Sequence, residues 1–234
     1  MMAFPQVWPP KEFDKITPEI NIAMSNLHEI SFERDLNSSQ LQAVMHERGP
    51  LLVIAGAGSG KTRTLVYRVA RLVVAGTDPE NILLLTFTRK AAATMLQRAA
   101  KLGGNACQKV QGGTFHGFSH RMLRRYAHLI DYPPGFTIID QSDSQDLIHL
   151  LARQMELTGK GKKFPTKAAL YSIFSKAANS GAMIDEIVEQ QYPHFTEQVQ
   201  SIGGLFEAYS KYKAAHGLMD YDDLLLKWLA VLKN

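Results

Sequence analysis

The chain has 234 residues, 45% hydrophobic and 21% charged, with 26 basic and 22 acidic side chains giving a formal net charge of +4. That is an ordinary globular composition, enough for one large domain or two small ones, and no apolar run approaches the ~18 residues of a membrane span. The opening ten residues lack the basic and apolar regions of a signal peptide, and a single cysteine, Cys107, excludes a disulfide framework or a cysteine-rich zinc site, so a reducing, cytoplasmic setting without membrane contact is expected.

Residues 1–35 read as an N-terminal extension with prolines at 5, 9, 10 and 18, in which residues 18–30 could form a short helix. Residues 36–46 then predict a helix, with Asn37 or Ser38 as N-cap and Leu41, Val44 and Met45 on one face. Gln40 lies near its start. A carboxamide offers a donor and an acceptor together, which matches the N6 and N7 edge of adenine. A surface glutamine is the common case, but this one stands just before a phosphate-binding pattern.

That pattern is the stretch from Leu51 to Arg63. The apolar, β-rich run Leu51–Ile54 predicts a buried strand; Ala55, Gly56, Ala57, Gly58, Ser59 and Gly60 form a small-residue loop; a helix follows through Val74. Strand, glycine-rich turn and helix N-terminus are the parts of a P-loop. The glycines let backbone N–H groups converge on phosphate oxygens, and the helix adds its positive dipole end. Lys61 would set its ammonium on the β- and γ-phosphates, Thr62 would give its hydroxyl to Mg²⁺, and ATP with Mg²⁺ is the implied ligand. Ala55 stands where the strict pattern has Gly.

Residues 81–87 predict a second buried strand and residues 89–102 an Ala-rich helix; residues 109–115 predict a third strand and residues 116–128 another helix. Repeated strand–helix alternation argues for a doubly wound parallel α/β sheet. Thr86, Phe87, Thr88 and Arg89 fall at the carboxyl end of one strand, and Thr114, Phe115 and His116 at the end of the next. Ligands of open α/β sheets bind at that edge, where hydroxyls suit phosphate and rings suit stacked bases. Core packing is the competing reading for both phenylalanines. Between residues 81 and 130 there is no acidic residue, whereas Arg89, Lys90, Arg98, Lys101, Lys109, Arg121, Arg124 and Arg125 carry a local charge of +8. A solvated face usually mixes both signs, so this segregation points to a polyanion path. The triphosphate pocket and the cationic, ring-bearing track are expected along one rim of the sheet.

After Asp131 the pattern turns helical. Leu147, Ile148, Leu150, Leu151 and Met155 recur at helix spacing, and helices are expected over 167–178, 184–190 and 195–216. A lysine cluster at 160, 162 and 163 suits either duplex phosphates or a solvated loop. Asp220 caps a last helix, 221–232, with Leu224, Leu225 and Trp228 on its apolar stripe. A strand ending in Asp–Glu, which an ATPase needs for Mg²⁺ and water, is not found after the P-loop: Asp185–Glu186 and Asp222–Asp223 both fall in helical stretches.

With these residues in view, the chain from Leu36 onward resembles the N-terminal part of UvrD/Rep-like superfamily 1 DNA helicases. Residues 36–44 resemble the family's Q motif, Ala55–Thr62 motif I, Thr86–Ala92 motif Ia, and Gly113–His116 motif Ib; Arg89 stands where close relatives usually have Asn. The resemblance implies a P-loop NTPase (RecA-like) parallel sheet, incomplete, with an all-helical insertion subdomain. It implies a partial motor domain over 36–135, the insertion over 136–216, and a helix returning to the motor domain over 217–234. It further implies an ATP-driven 3′–5′ translocase on single-stranded DNA or a single-strand/duplex junction. Gln40, Ala55–Arg63 and Mg²⁺ on Thr62 would make the nucleotide site; Thr86, Phe87, Thr88, Arg89, Thr114, Phe115 and His116 would grip the strand. The DExx box, arginine fingers and second motor domain would lie beyond Asn234, in the rest of the helicase chain. The 234 residues alone are then expected to be monomeric and to bind nucleotide with little turnover. Alternatives are a helicase–nuclease subunit, a nucleotide-sensing DNA-binding module without motor activity, and a P-loop kinase or transporter ATPase.

Overall fold

A computed structural model describes residues 30–159 and 163–234. Most of the N-terminal extension, including the helix expected before residue 30, and Lys160 and Lys162 of the lysine cluster lie outside the described residues. The chain divides into two compact units between Thr114 and Phe115.

The first unit contains α1 (Phe32–Asp35), α2 (Ser38–Met45), α3 (Lys61–Val74), β1 (Leu83–Thr86), α4 (Arg89–Cys107) and β2 (Gln111–Thr114). Helix α2 starts where expected. The Asn37 side chain accepts from the Gln40 backbone N–H at 2.9 Å, and Gln40 Oε1 accepts from the Asn37 N–H at 3.2 Å. This reciprocal box satisfies two donors the helix would otherwise leave unpaired. Its C-terminus is closed from a distance: Arg68 on α3 donates to the carbonyls of Ala43, Val44 and His46. Three orphan acceptors are thereby met by one cation at the negative end of the helix. Helix α3 buries Val66, Val69, Ala70 and Val73, a 3.6-residue stripe, against Met95 and Ala99 of α4 and Ile82, Leu84 and Val110 around the strands.

β1 and β2 pair in parallel, with Leu83 opposite Gln111, Leu84 opposite Gly112, Leu85 opposite Gly113 and Thr86 opposite Thr114. α4 connects them, as a parallel pair requires. Both strands are shorter than expected, because Asn81 closes a 3₁₀ turn and Lys109 a turn onto Ala106. Helix α4 runs past Leu102 to Cys107 through a break at Gly104, whose φ of 64° no ordinary helix residue adopts.

One expectation fails. Leu51–Ile54 is not a strand, and it is not buried: Leu52 is 83% exposed and Ile54 89%. Among the described residues, the two strands of this unit pair only with each other. A β-rich run becomes a strand only when a neighbour offers a ladder of donors and acceptors, and none of the described residues does so here. The doubly wound sheet expected around the P-loop is therefore represented by two strands. Met45, placed on the apolar face of α2, is 36% exposed, whereas Val44 is buried.

The second unit contains α5 (Phe115–Tyr126), β3 (Thr137–Ile138), α6 (Gln141–Gln154), α7 (Lys167–Ser180), α8 (Ile184–Gln191), α9 (Val199–Ala215), β4 (Leu218–Met219) and α10 (Tyr221–Lys233). The turn of residues 193–198 is 3₁₀, so α9 begins four residues later than expected: Pro193 starts that turn, and its ring cannot donate. Ile148, Leu151, Leu170, Ile173, Phe174, Ile202 and Leu205 close the core of α6–α9. Each fully buried aliphatic chain contributes about 1.5–3 kcal/mol. Leu150 and Met155, expected on the same stripe, are 47% and 39% exposed. A second core joins Leu123, Tyr132, Phe136, Met219 and Leu224, with Trp228 packed at its edge. β3 and β4 pair in parallel beside it, and Tyr132 donates to the Leu218 carbonyl at 2.5 Å.

The second unit also holds a buried ionic group that sequence reasoning did not find. Lys213 of α9 reaches Asp220 at 2.5 Å and Asp223 at 2.6 Å, with side-chain exposures of 8%, 8% and 18%. Tyr209 donates to Asp220 at 2.9 Å, and Asp220 and Asp223 cap α10 reciprocally. Burial pushes the Asp220 carboxyl up, but Lys213 outweighs it and holds the group below its usual range. Asp223 is pushed upward by burial and by the neighbouring Asp220 charge. The same burial, with those two carboxylates, raises Tyr132 to about 12. The spacing Asp220-x-x-Asp223 was a legible cap signal; its pairing with Lys213 was not.

Candidate functional site

The loop before α3 is closed by its own residues. Gly60 is its N-cap, at φ +86° and in the left-handed region, and Gly58 lies at φ +77°. Ser59 closes the loop by donating its N–H and hydroxyl to the Gly56 carbonyl, the latter at 2.7 Å. Lys61 turns back into the loop and donates to the carbonyls of Ala55 at 2.8 Å and Gly56 at 2.6 Å. Its ammonium is thereby held against the loop, although the residue stays exposed. A Cβ on Gly56 or Gly58 would meet open space, so room remains in front of the backbone donors. Thr62 is exposed beside it at the first turn of α3. Free N–H groups at a helix start, a confined ammonium and an open hydroxyl are a donor set that fits a polyphosphate with its cation.

Gln40 belongs to this loop by contact and not only by sequence order. Its Nε2 donates to the Ser59 carbonyl at 3.0 Å, and a Cβ on Gly60 would lie 2.6 Å from that nitrogen. Arg63 does not point into the loop: it donates to the Asp35 carbonyl at 2.6 Å and lies over the Tyr67 ring, while Tyr67 donates to the Asp35 carboxylate. Asp35 thus organises the back of the site, a role no local sequence signal announces.

Thr86 and Thr114 are Cα partners at the carboxyl ends of β1 and β2. The segment entering the loop of residues 55–60 is not a strand of that sheet, so among the described residues the shared rim unites these two threonines alone. Phe87 is 86% exposed, which removes the core-packing reading for it. Thr88 caps α4, its hydroxyl accepting from the Ala91 N–H at 3.1 Å, and Arg89 follows, exposed. In the second unit, Phe115 is 40% exposed and His116 stands edge-on to Tyr221 at 5.9 Å. All eight cations of the acid-free segment are exposed. Arg124 is nevertheless structurally engaged: it donates to His120 Nε2 and the Pro134 carbonyl and covers the Phe136 ring at 4.2 Å. Burial, and then the charges of Arg124 and Arg121, keep His120 below the usual histidine range. Asp185–Glu186 and Asp222–Asp223 lie in the first turns of α8 and α10, so neither pair ends a strand.

The profile of the UvrD/REP helicase N-terminal domain matches residues 36–234. The chain belongs to this family. Among its UvrD/REP relatives, DNA helicase II of Salmonella typhimurium and of Escherichia coli are each 38% identical over 193 residues. The ATP-dependent DNA helicase PcrA of Staphylococcus aureus is 33% identical over 192 residues. Each alignment covers 82% of this chain and 26% of the relative, so the chain spans about a quarter of the length of the curated relatives it matches. The residues preceding Leu36 fall outside the family match. Among the described residues, no helix is long and apolar enough to cross a membrane.

Proposed function

We propose that this chain is the nucleotide-binding, strand-gripping N-terminal part of an ATP-dependent 3′–5′ DNA helicase with a P-loop, RecA-like motor core. In this reading residues 36–135 contribute the motor domain, 136–216 its helical insertion and 217–234 the return. The observation that carries it is the closed loop of residues 55–62, with Gly60 in the left-handed region, Lys61 held against the loop and Gln40 fastened to Ser59. Bound there with Mg²⁺, ATP would supply the phosphoanhydride whose hydrolysis drives translocation. Lys61 would trade its loop carbonyls for phosphate oxygens, Thr62 would hold the cation, and Gln40 would meet the adenine edge. Arg63, engaged with Asp35, would support the loop from behind.

In the first unit Thr86, Thr88, Arg89 and Thr114 would contact phosphates and Phe87 would stack a base; in the second, Phe115 would stack a base and His116 would contact the strand. The exposed cations of residues 81–130 support a polyanion as ligand. Neither acidic pair of the helical unit ends a strand, which supports nucleotide binding with little turnover by these residues alone. The test is a titration of the chain with a fluorescent ATP analogue and Mg²⁺. Lys61→Ala should abolish binding while leaving the unfolding midpoint unchanged; unaltered affinity would refute the P-loop reading.

A further inference from the structure

The helical unit carries the charge inverse of the acid-free segment. Between Lys176 and Lys211 the sequence has no Lys or Arg, and it has five acidic residues, Asp185, Glu186, Glu189, Glu197 and Glu207. All five are exposed. Within this stretch an open groove of about 390 Å³ lies between the end of α7, the start of α8 and the face of α9. Met183, Ile184, Val199, Gly203 and Phe206 line it, together with Asp185 and Glu207.

Two residues in the groove depart from the local preference of their positions. Gly203 sits inside α9, where glycine is less favourable than alanine, yet a Cβ there would meet nothing within 4 Å. Met183 occupies the N-cap of α8; Glu186 accepts from its N–H at 3.3 Å, but a methionine stands where Ser, Thr, Asp or Asn is preferred. It is instead 67% exposed. Residues that depart from a local preference with no packing reason among the described residues point to something beyond them. Open space over a helix glycine lets another backbone approach closely, and an exposed methionine adapts to varied apolar side chains.

We propose that this groove docks a basic amphipathic helix of a protein partner. Apolar side chains at i, i+3 or i+4, and i+7 would enter over Gly203 between Met183 and Phe206, and flanking Lys or Arg would face Asp185 and Glu207. Charge decides the class of partner: a nucleic acid would be repelled by this run of exposed carboxylates, whereas a cationic helix is steered toward them. Of the five, Glu207 meets Lys211 at 3.4 Å in an exposed pair, a contact worth little by itself.

The probe is a fluorescein-labelled synthetic helix of roughly 18 residues, long enough to hold its fold, with Leu on one face and Lys on the other. Binding to the full chain is read by anisotropy at two salt concentrations. Asp185→Lys with Glu207→Lys should weaken binding by about tenfold or more. Gly203→Gln, which fills the groove from a helix-favouring residue, should do the same while raising or preserving the unfolding midpoint. A peptide of the same composition with its leucines scattered should bind at least about tenfold more weakly. The proposal is overturned if the amphipathic peptide does not bind, if the scattered peptide binds equally, or if Gly203→Gln leaves its affinity intact. It is also overturned if sedimentation shows the chain dimerising through this groove, with Gly203→Gln dissociating the dimer, since a second copy would then be the occupant.

Discussion

Replacing Lys213 by Met would leave Asp220 and Asp223 buried with no cation between them. The two contacts, 2.5 and 2.6 Å long, are each worth about 6 kcal/mol of Coulomb attraction at an effective dielectric near 20. Desolvation of each ion returns several kcal/mol, so breaking the group should cost about 3–5 kcal/mol. The sign with pH follows from the carboxyls. In the wild type Asp220, held below its usual range, stabilises the fold above the ordinary carboxylate pKa, and that contribution is lost as pH falls through its folded value. Asp223, pushed upward, opposes folding once ionised, and that cost fades as pH falls. Without Lys213 both groups rise, and the folded state takes up protons before the unfolded one. Urea unfolding should therefore show Lys213→Met destabilised by about 3–5 kcal/mol at about pH 7.5, shrinking toward about pH 5.5. Adding Asp223→Asn, which keeps a capping side chain, should recover part of the loss. A cost below about 1 kcal/mol at the higher pH, or one that does not change between the two, would refute the account.

Phe87→Ala should leave thermal stability almost unchanged, because the ring is 86% exposed, and weaken oligo-dT binding by about 1–3 kcal/mol if a base stacks there. Equal affinity would exclude it from the strand path. Gly112→Ala would place a Cβ 2.8 Å from both Leu96 methyls, and overpacking should cost about 1–3 kcal/mol by urea unfolding. A neutral result would show that Leu96 can swing away. His120 accepts from Arg124 and is held below the usual histidine range by burial and the neighbouring guanidinium charges. The unfolded chain therefore binds a proton first, and stability should fall as pH drops through about 6.5 toward the folded value. An NMR titration of the His120 ring at or above the free value would contradict this.

Most of what could be read directly from the sequence acts within four or five residues of itself. Asn37 with Gln40 and Asp220 with Asp223 make the expected caps, because a cap is a contact between i and i+3. The buried stripes of α3, α6 and α7 follow the 3.6-residue period, and the left-handed Gly58 and Gly60 follow from loop chemistry. What tertiary structure decided is what needs a partner far along the chain. Leu51–Ile54 has the composition of a strand, but composition supplies no ladder, and the run lies exposed. Phe87 could have been core or surface, and only the end of β1 makes it surface. Arg63 was assigned to the nucleotide and is drawn to Asp35, 28 positions back. Arg68 closes a helix more than twenty residues away, and Lys213 joins two carboxylates that local pattern assigned only to a cap. Local signals fix each element because their free energy is settled within a turn; exposure and charge pairing are settled only once distant elements meet.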